Sequence, residues 1–230
     1  MGSRLMHLAI ARLVLAEVPA ANPGRFLCGS VLPDGASSGN SHWRISCGGK
    51  LQTIDLESFR SSYEKELLTD DLVRGYYLHL LQDLFMRSYL QTHLGWKASR
   101  HEARTLHRDH TRLNAILTEK YRLEETAGLL RAQDIRVLSK EPVEFAQEKL
   151  LQSIQQDTLS KPHGKARYFT EAYADDYITL AANLSISELQ ALKDGRTGTD
   201  LLGITWEWGK PGFLYRVRRK LIRILWRVFT

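Results

Sequence analysis

Several features that would assign this 230-residue chain to a large protein class are scarce or missing. Two cysteines, Cys28 and Cys47, are too few for a disulfide framework, and a reducing, cytoplasmic setting is the default. Only six prolines interrupt the chain, so long helices are free to form. No apolar run approaches the roughly 18 uninterrupted residues of a membrane-crossing helix. Alternating strand patterns are rare, and no internal repeat is present. Neither a Ser-His-Asp arrangement nor a glycine-rich phosphate loop occurs; Gly29 and Gly35 belong to no such pattern. What remains is 43% hydrophobic and 25% charged, which excludes wholesale disorder and suffices to bury a core.

Acidic charge is scarce at one end. Residues 203–230 hold seven basic groups against a single acid, Glu207, so the net charge of +6 resides there and residues 1–202 sum to zero. The excess describes a tail, not a nucleic-acid-binding surface spread over the chain.

The start of the chain resembles a secretory signal, with Arg4, an apolar run over 5–16 and Val18-Pro19-Ala20. His7 and Arg12 inside that run argue against it, and the helical spacing of Leu5, Leu8, Ala9, Leu13 and Ala16 predicts a buried amphipathic helix over 5–17. A polar loop follows over 33–50. Helices are predicted over 56–68, 71–93, 108–121, 124–133, 142–157, 169–183 and 186–194, the last capped by Ser185 with Glu188 three residues on. Residues 134–138 stay open, and 195–211 read as a glycine-rich loop. The segment 71–93 is apolar nearly all round, the mark of a central helix. The expected class is all-α: a helical domain over 1–209, then a basic amphipathic helix over 210–230.

The chemistry concentrates before residue 84. His79 and Asp83 lie four apart on the most apolar helix and project from one face. A carboxylate there needs compensation. A divalent cation would supply it, and imidazole with carboxylate suits zinc. The competing reading is an Asp83–Arg87 pair with His79 hydrogen-bonded in the core. His7 on the first helix, Asp34 between Pro33 and Gly35, and His42 before Trp43 each have an ordinary reading: a core histidine, a turn residue and an exposed loop residue. Together the five form an ordered set on helices and helix-held loops, where metal ligands commonly sit.

That order, with the segments Ser3-Arg-Leu-Met-His7-Leu-Ala-Ile-Ala, Phe26-Leu-Cys-Gly-Ser-Val-Leu-Pro-Asp34, Ser41-His42-Trp43 and Gly75-Tyr-Tyr-Leu-His79-Leu-Leu-Gln-Asp83, resembles the zinc-dependent phospholipase C and single-strand-specific nuclease superfamily, in particular its bacterial phospholipase C-like branch. The resemblance covers about the first 90 residues. It implies a helical bundle with a metal cluster in a cleft. It further implies that Asp34, His42, His79 and Asp83 hold one zinc, and that Asp83 bridges to a second zinc bound also by His7. In that superfamily the second ion takes the chain's own amino terminus as well. Gly2 would be the analogue here once Met1 is removed; if Met1 stays, water fills that position. Two departures bear on the number of ions. Tyr89 stands where the superfamily has a further histidine, and its later histidine and acid four apart find here only His107-Arg-Asp109-His110-Thr-Arg-Leu-Asn114, with Thr111 four residues beyond His107. His107, Asp109 and His110 are either a variant third site or a solvated helix start, and two ions, rather than one or three, is the expectation.

The activity implied is phosphoester hydrolysis with a metal-bound water as nucleophile, Asp34 both ligating and acting as base. The substrate would be a phosphoester, with phospholipid the leading class. Over 213–229, arginines and lysines form one stripe beside Val217, Leu221, Ile224, Leu225 and Val228, with Trp226 and Phe229 near the end. That pattern suits either an anionic membrane surface, placing the protein at the inner membrane, or docking on the helical domain. Nucleic acid ranks behind lipid. Two rival functions remain: a non-catalytic helical protein docking on membrane or partner, and a nucleotide or nucleic-acid phosphodiesterase on the same scaffold.

Overall fold

The computed structural model describes residues 3–36, 39–49, 51–96, 99–124, 126–131, 135–140, 144–160, 164–166, 168–196 and 204–207. Among these the chain is mostly helical, in agreement with an all-α class. Helix α1 (Arg4–Glu17) starts at Ser3, whose hydroxyl oxygen accepts the Met6 N–H, and buries Leu5 through Ala11 and Val14. Short α2 (Pro23–Gly29) opens with Asn22 as cap and proline in its first turn, and a one-turn 3-10 helix (Leu32–Gly35) follows. After α3 (Leu56–Ser62) and α4 (Glu66–Thr69) comes α5 (Asp71–Leu94), capped by the Asp70 side chain and ended by Gly95 in the left-handed region, φ 56°. Then come α6 (Arg100–Tyr121), α7 (Thr126–Arg131), α8 (Gln147–Thr158) and α9 (Glu171–Lys193).

Helix α5 is the axis. Its residues are buried on every side, against α2, α3, α4 and α9. The crossing with α2 is the closest, because both helices present glycine there. A Cβ on Gly29 would run into the Leu72 carbonyl oxygen, and one on Gly75 into that of Phe26. The Arg25–Asp70 ion pair at 2.9 Å and the Asn22 N–H donated to Asp71 lock the same pair of helices. Helix α1 lies mainly against α9, with further contacts to α5 and α6.

The structure corrects the sequence reading at several points. A small antiparallel sheet is present: β1 (Arg44–Ser46) pairs with β2 (Leu51–Ile54), and β2 with β3 (Trp206–Glu207), so the loop over 33–50 and the loop over 195–211 each contribute a strand. These strands are too short to show a period in the sequence. Residues 23–29 form helix α2, where no helix is expected, and the helix expected over 56–68 breaks into α3 and α4. Helix α6 begins at Arg100, eight residues before the expected start. The expected helices over 169–183 and 186–194 are one, α9, so Ser185 is no cap. Ser185 is buried in mid-helix, and Glu188 is buried where it accepts the Tyr77 hydroxyl rather than closing a capping box. The division at 209/210 and the basic helix over 213–229 lie outside the described residues. No described helix is long and apolar enough to cross a membrane.

Candidate metal centre

The helix α5 face that carries His79 and Asp83 meets α1 and the segment from Ser30 to His42. His7 reaches the cluster from α1, Asp34 from the 3-10 turn, and His42 from the turn before β1. The ligand-type atoms of His7, His79 and Asp83 all lie within 4.8 Å of one another, and so do those of Asp34, His42 and His79. His79 belongs to both groups. The His7 and His79 rings stack with centroids 3.9 Å apart, and His42 meets His79 edge-on at 5.2 Å. The two Asp83 oxygens face different histidines: Oδ1 is 3.6 Å from His7 Nε2 and Oδ2 is 3.8 Å from His42 Nε2. Asp34 Oδ1 lies 3.3 Å from His42 Nε2 and 4.0 Å from His79 Nε2.

The outer hydrogen bonds set the proton positions. His79 Nδ1 is 2.8 Å from the Ser30 carbonyl oxygen, which only accepts, so Nδ1 carries the proton. His7 Nδ1 donates in the same way to Gln82 Oε1 at 2.7 Å. The Ser41 hydroxyl donates to the Pro33 carbonyl, so its oxygen receives the His42 Nδ1 proton at 3.0 Å. Burial, reinforced by the neighbouring His7 ring, pulls the His79 pKa well below the ordinary histidine range, so the ring is neutral. A neutral ring protonated at Nδ1 turns the Nε2 lone pair inward. In His7 and His79 that buried Nε2 has no hydrogen-bond partner among the described residues, and it faces a carboxylate.

Those carboxylates are ionised. Burial alone would raise Asp34, but its carboxyl lies well below the usual range, with His42 Nε2 within hydrogen-bond distance of Oδ1 at 3.3 Å. Asp83 likewise lies well below that range, against the effect of its burial. The His7 and His79 lone pairs and the carboxylates they face converge without a hydrogen bond between them, and such groups repel one another. A cation between them reverses the sign of every interaction, and three imidazole nitrogens with two carboxylates are a donor set that fits zinc. The outer partners Ser30, Ser41 and Gln82 are of the kind that orient metal-binding histidines.

Asp83 is not resolved into a simple pair with Arg87. The Arg87 guanidinium lies between two indoles, 5.2 Å from the Trp96 ring and 4.7 Å from that of Trp206, and burial lowers its pKa to about 9 against the attraction of Asp83.

The His107–His110 segment is not a solvated helix start. It lies inside α6 with Asp109 and His110 buried and His107 exposed. Asp109 accepts the backbone N–H groups of Tyr168 and Phe169 and pairs with Arg112, which makes it a strut for the chain entering α9. His110 faces a cavity of about 260 Å³ whose walls also include Asp34, Arg4, Asn114 and Asp157. Asn114 carries little signal in the sequence: the residue four on from His107 is Thr111, and only from His110 does the same spacing reach Asn114. Sequence reasoning also missed Gln82, Ser41 and the Ser30 carbonyl. Gln82 and Ser41 each adjoin a site residue in the chain, whereas a backbone carbonyl leaves no signal in the residue types. Gly2 lies outside the described residues. Comparison with protein-family models, with curated proteins and with solved structures finds no match to this chain.

Proposed function

We infer that this chain is a zinc-dependent phosphoester hydrolase on a helical bundle of the phospholipase C and nuclease kind. The observation that carries the reading is the inward set of unpartnered Nε2 atoms, His7 and His79, opposed to the ionised Asp34 and Asp83. His7 and Asp83 would hold one ion; Asp34, His42, His79 and the other Asp83 oxygen would hold a second. Bound there, divalent cations would offset phosphate charge and bring the pKa of water to about 7.

The chain's own groups do the rest. Asp34 borders the cavity, unlike the fully buried Asp83, so it is the carboxylate that can meet a water at the substrate, orient it and take its proton. Ser41, Gln82 and the Ser30 carbonyl fix the imidazoles so that no reorganisation accompanies the reaction. The cavity beside Asp34 is where the phosphoester would enter. Elemental analysis of protein purified without chelators should find about two zinc ions per chain. A panel of phosphodiesters should then be hydrolysed, with activity lost in Asp34→Asn. Zinc-free protein that takes up no zinc on dialysis defeats the reading, and zinc-loaded protein inert on every ester leaves only a structural metal site.

A further inference from the structure

The residues lining the cavity include two polar atoms that neither the fold nor the proposed metal centre uses. The Asp157 carboxylate accepts Arg4 through Oδ2, at 2.9 Å from Nε and 2.8 Å from Nη2, and Asn114 Nδ2 through Oδ1 at 3.1 Å. A carboxylate only accepts, so the Asn114 NH₂ group must point at Asp157 and its amide oxygen away. That oxygen and His110 Nε2 are both buried and both without a hydrogen-bond partner among the described residues. His110 is 4% exposed and Asn114 3%. They stand one turn apart on α6, on the same face, and both line the cavity that Asp34 also lines. Burying two such groups unpaired is costly, which points to a ligand that satisfies them.

The wall selects the ligand's chemistry. Arg4 and Asp157 neutralise each other, and burial keeps the His110 imidazole uncharged at neutral pH. Among the described residues no Phe, Tyr or Trp lines the cavity, so these residues offer no aromatic surface to a quaternary ammonium. An amide oxygen that accepts and an imidazole nitrogen beside it suit a hydroxyl group. We propose that this cavity binds the hydroxyl-bearing alcohol portion of a phosphoester, a polyol phosphate, with Asn114 Oδ1 and His110 Nε2 as its hydrogen-bond partners. The assignment rests on the hydrolase reading only for the phosphate end; the polyol end stands on the wall itself.

The test has two arms. In the first, myo-inositol and, separately, choline chloride are titrated into the full chain while the His110 ring nitrogens are followed by NMR. Saturable movement with myo-inositol and none with choline is expected. An unmoved ring, or equal movement with choline, overturns the proposal whether or not esters are hydrolysed. In the second, zinc-loaded protein is assayed on the glyceryl and ethyl diesters of p-nitrophenyl phosphate, which share a leaving group and differ in hydroxyls. Asn114→Leu should raise KM for the glyceryl ester about tenfold and leave the ethyl ester within about twofold. Equal change on both esters overturns it, as does loss of one zinc per chain in Asn114→Leu, which would make this corner a metal site. Failure to hydrolyse either ester counts against the hydrolase reading alone, and the wild-type titration then decides the polyol site.

Discussion

His7, His42 and His79 each give the Nδ1 proton to an oxygen outside the cluster and present Nε2 to its centre. Removing one outer acceptor while keeping the ligand isolates that orientation. Gln82→Leu should weaken zinc binding by about 10- to 100-fold with all five ligand side chains intact, as read by competition with a chromogenic chelator. Acid should affect the metal-free chain in a defined order. Burial holds His79 well below the ordinary histidine range and takes His110 down to about 3, so the unfolded chain binds these protons first, near pH 6.5. Their contribution is complete above that pH and declines as pH falls. Asp34 and Asp83, whose carboxyls lie below the ordinary range, contribute above about pH 4 and are lost beneath it. His110→Gln should remove a slope of up to about 1.4 kcal/mol per pH unit between pH 6 and 4, measured by urea unfolding of metal-free protein. An unchanged slope contradicts a neutral buried His110. At this scale the sequence was legible where chemistry and rarity coincide: a histidine and an aspartate four apart on an apolar helix stand out. Asp109 did not reveal itself, because its partners are backbone N–H groups 59 and 60 residues away.

Helices α2 and α5 cross with almost nothing between their backbones, and that crossing sets where Ser30 meets His79. Gly75→Ala would press a methyl group on the Phe26 carbonyl, a backbone atom that cannot swing aside. It should cost about 1–3 kcal/mol in urea unfolding and also weaken zinc binding, since the Ser30 carbonyl moves with α2. Zinc affinity left at the wild-type value would show that the crossing does not position the ring. Long elements were readable from their period: α1, α5 and most of α9 follow apolar spacing that tertiary contacts reinforce. The short ones were not. A two-residue strand such as β3 exists because Trp206 buries against Arg87 and pairs with Gln52, both decided far along the chain. The false stop at Ser185 has a similar cause. Its neighbours Ala181, Ala182 and Leu189 pack on through the expected break, and a plausible cap loses to continued burial.

For the whole molecule, metal and fold should be linked. Zinc at 100 times its dissociation constant should add about 2.7 kcal/mol to stability, seen as a higher melting temperature that a chelator reverses. Chelator without effect on melting of zinc-loaded protein would refute the linkage. Truncation after Lys210 keeps β3 and removes the basic stripe over 213–229. It should abolish binding to anionic vesicles and preserve turnover of a soluble ester, and undiminished vesicle binding would place that contact elsewhere. The packing of α1 on α9 has a consequence for biosynthesis. All five candidate ligands have left the ribosome's peptidyl-transferase centre by residue 83, yet the partner that shields the His7 helix is not complete until Lys193. Such distant pairing is slow to form. A nascent chain therefore carries these imidazoles and carboxylates without that shield until α9 has been made, and any ion held in the finished geometry is loaded only after that.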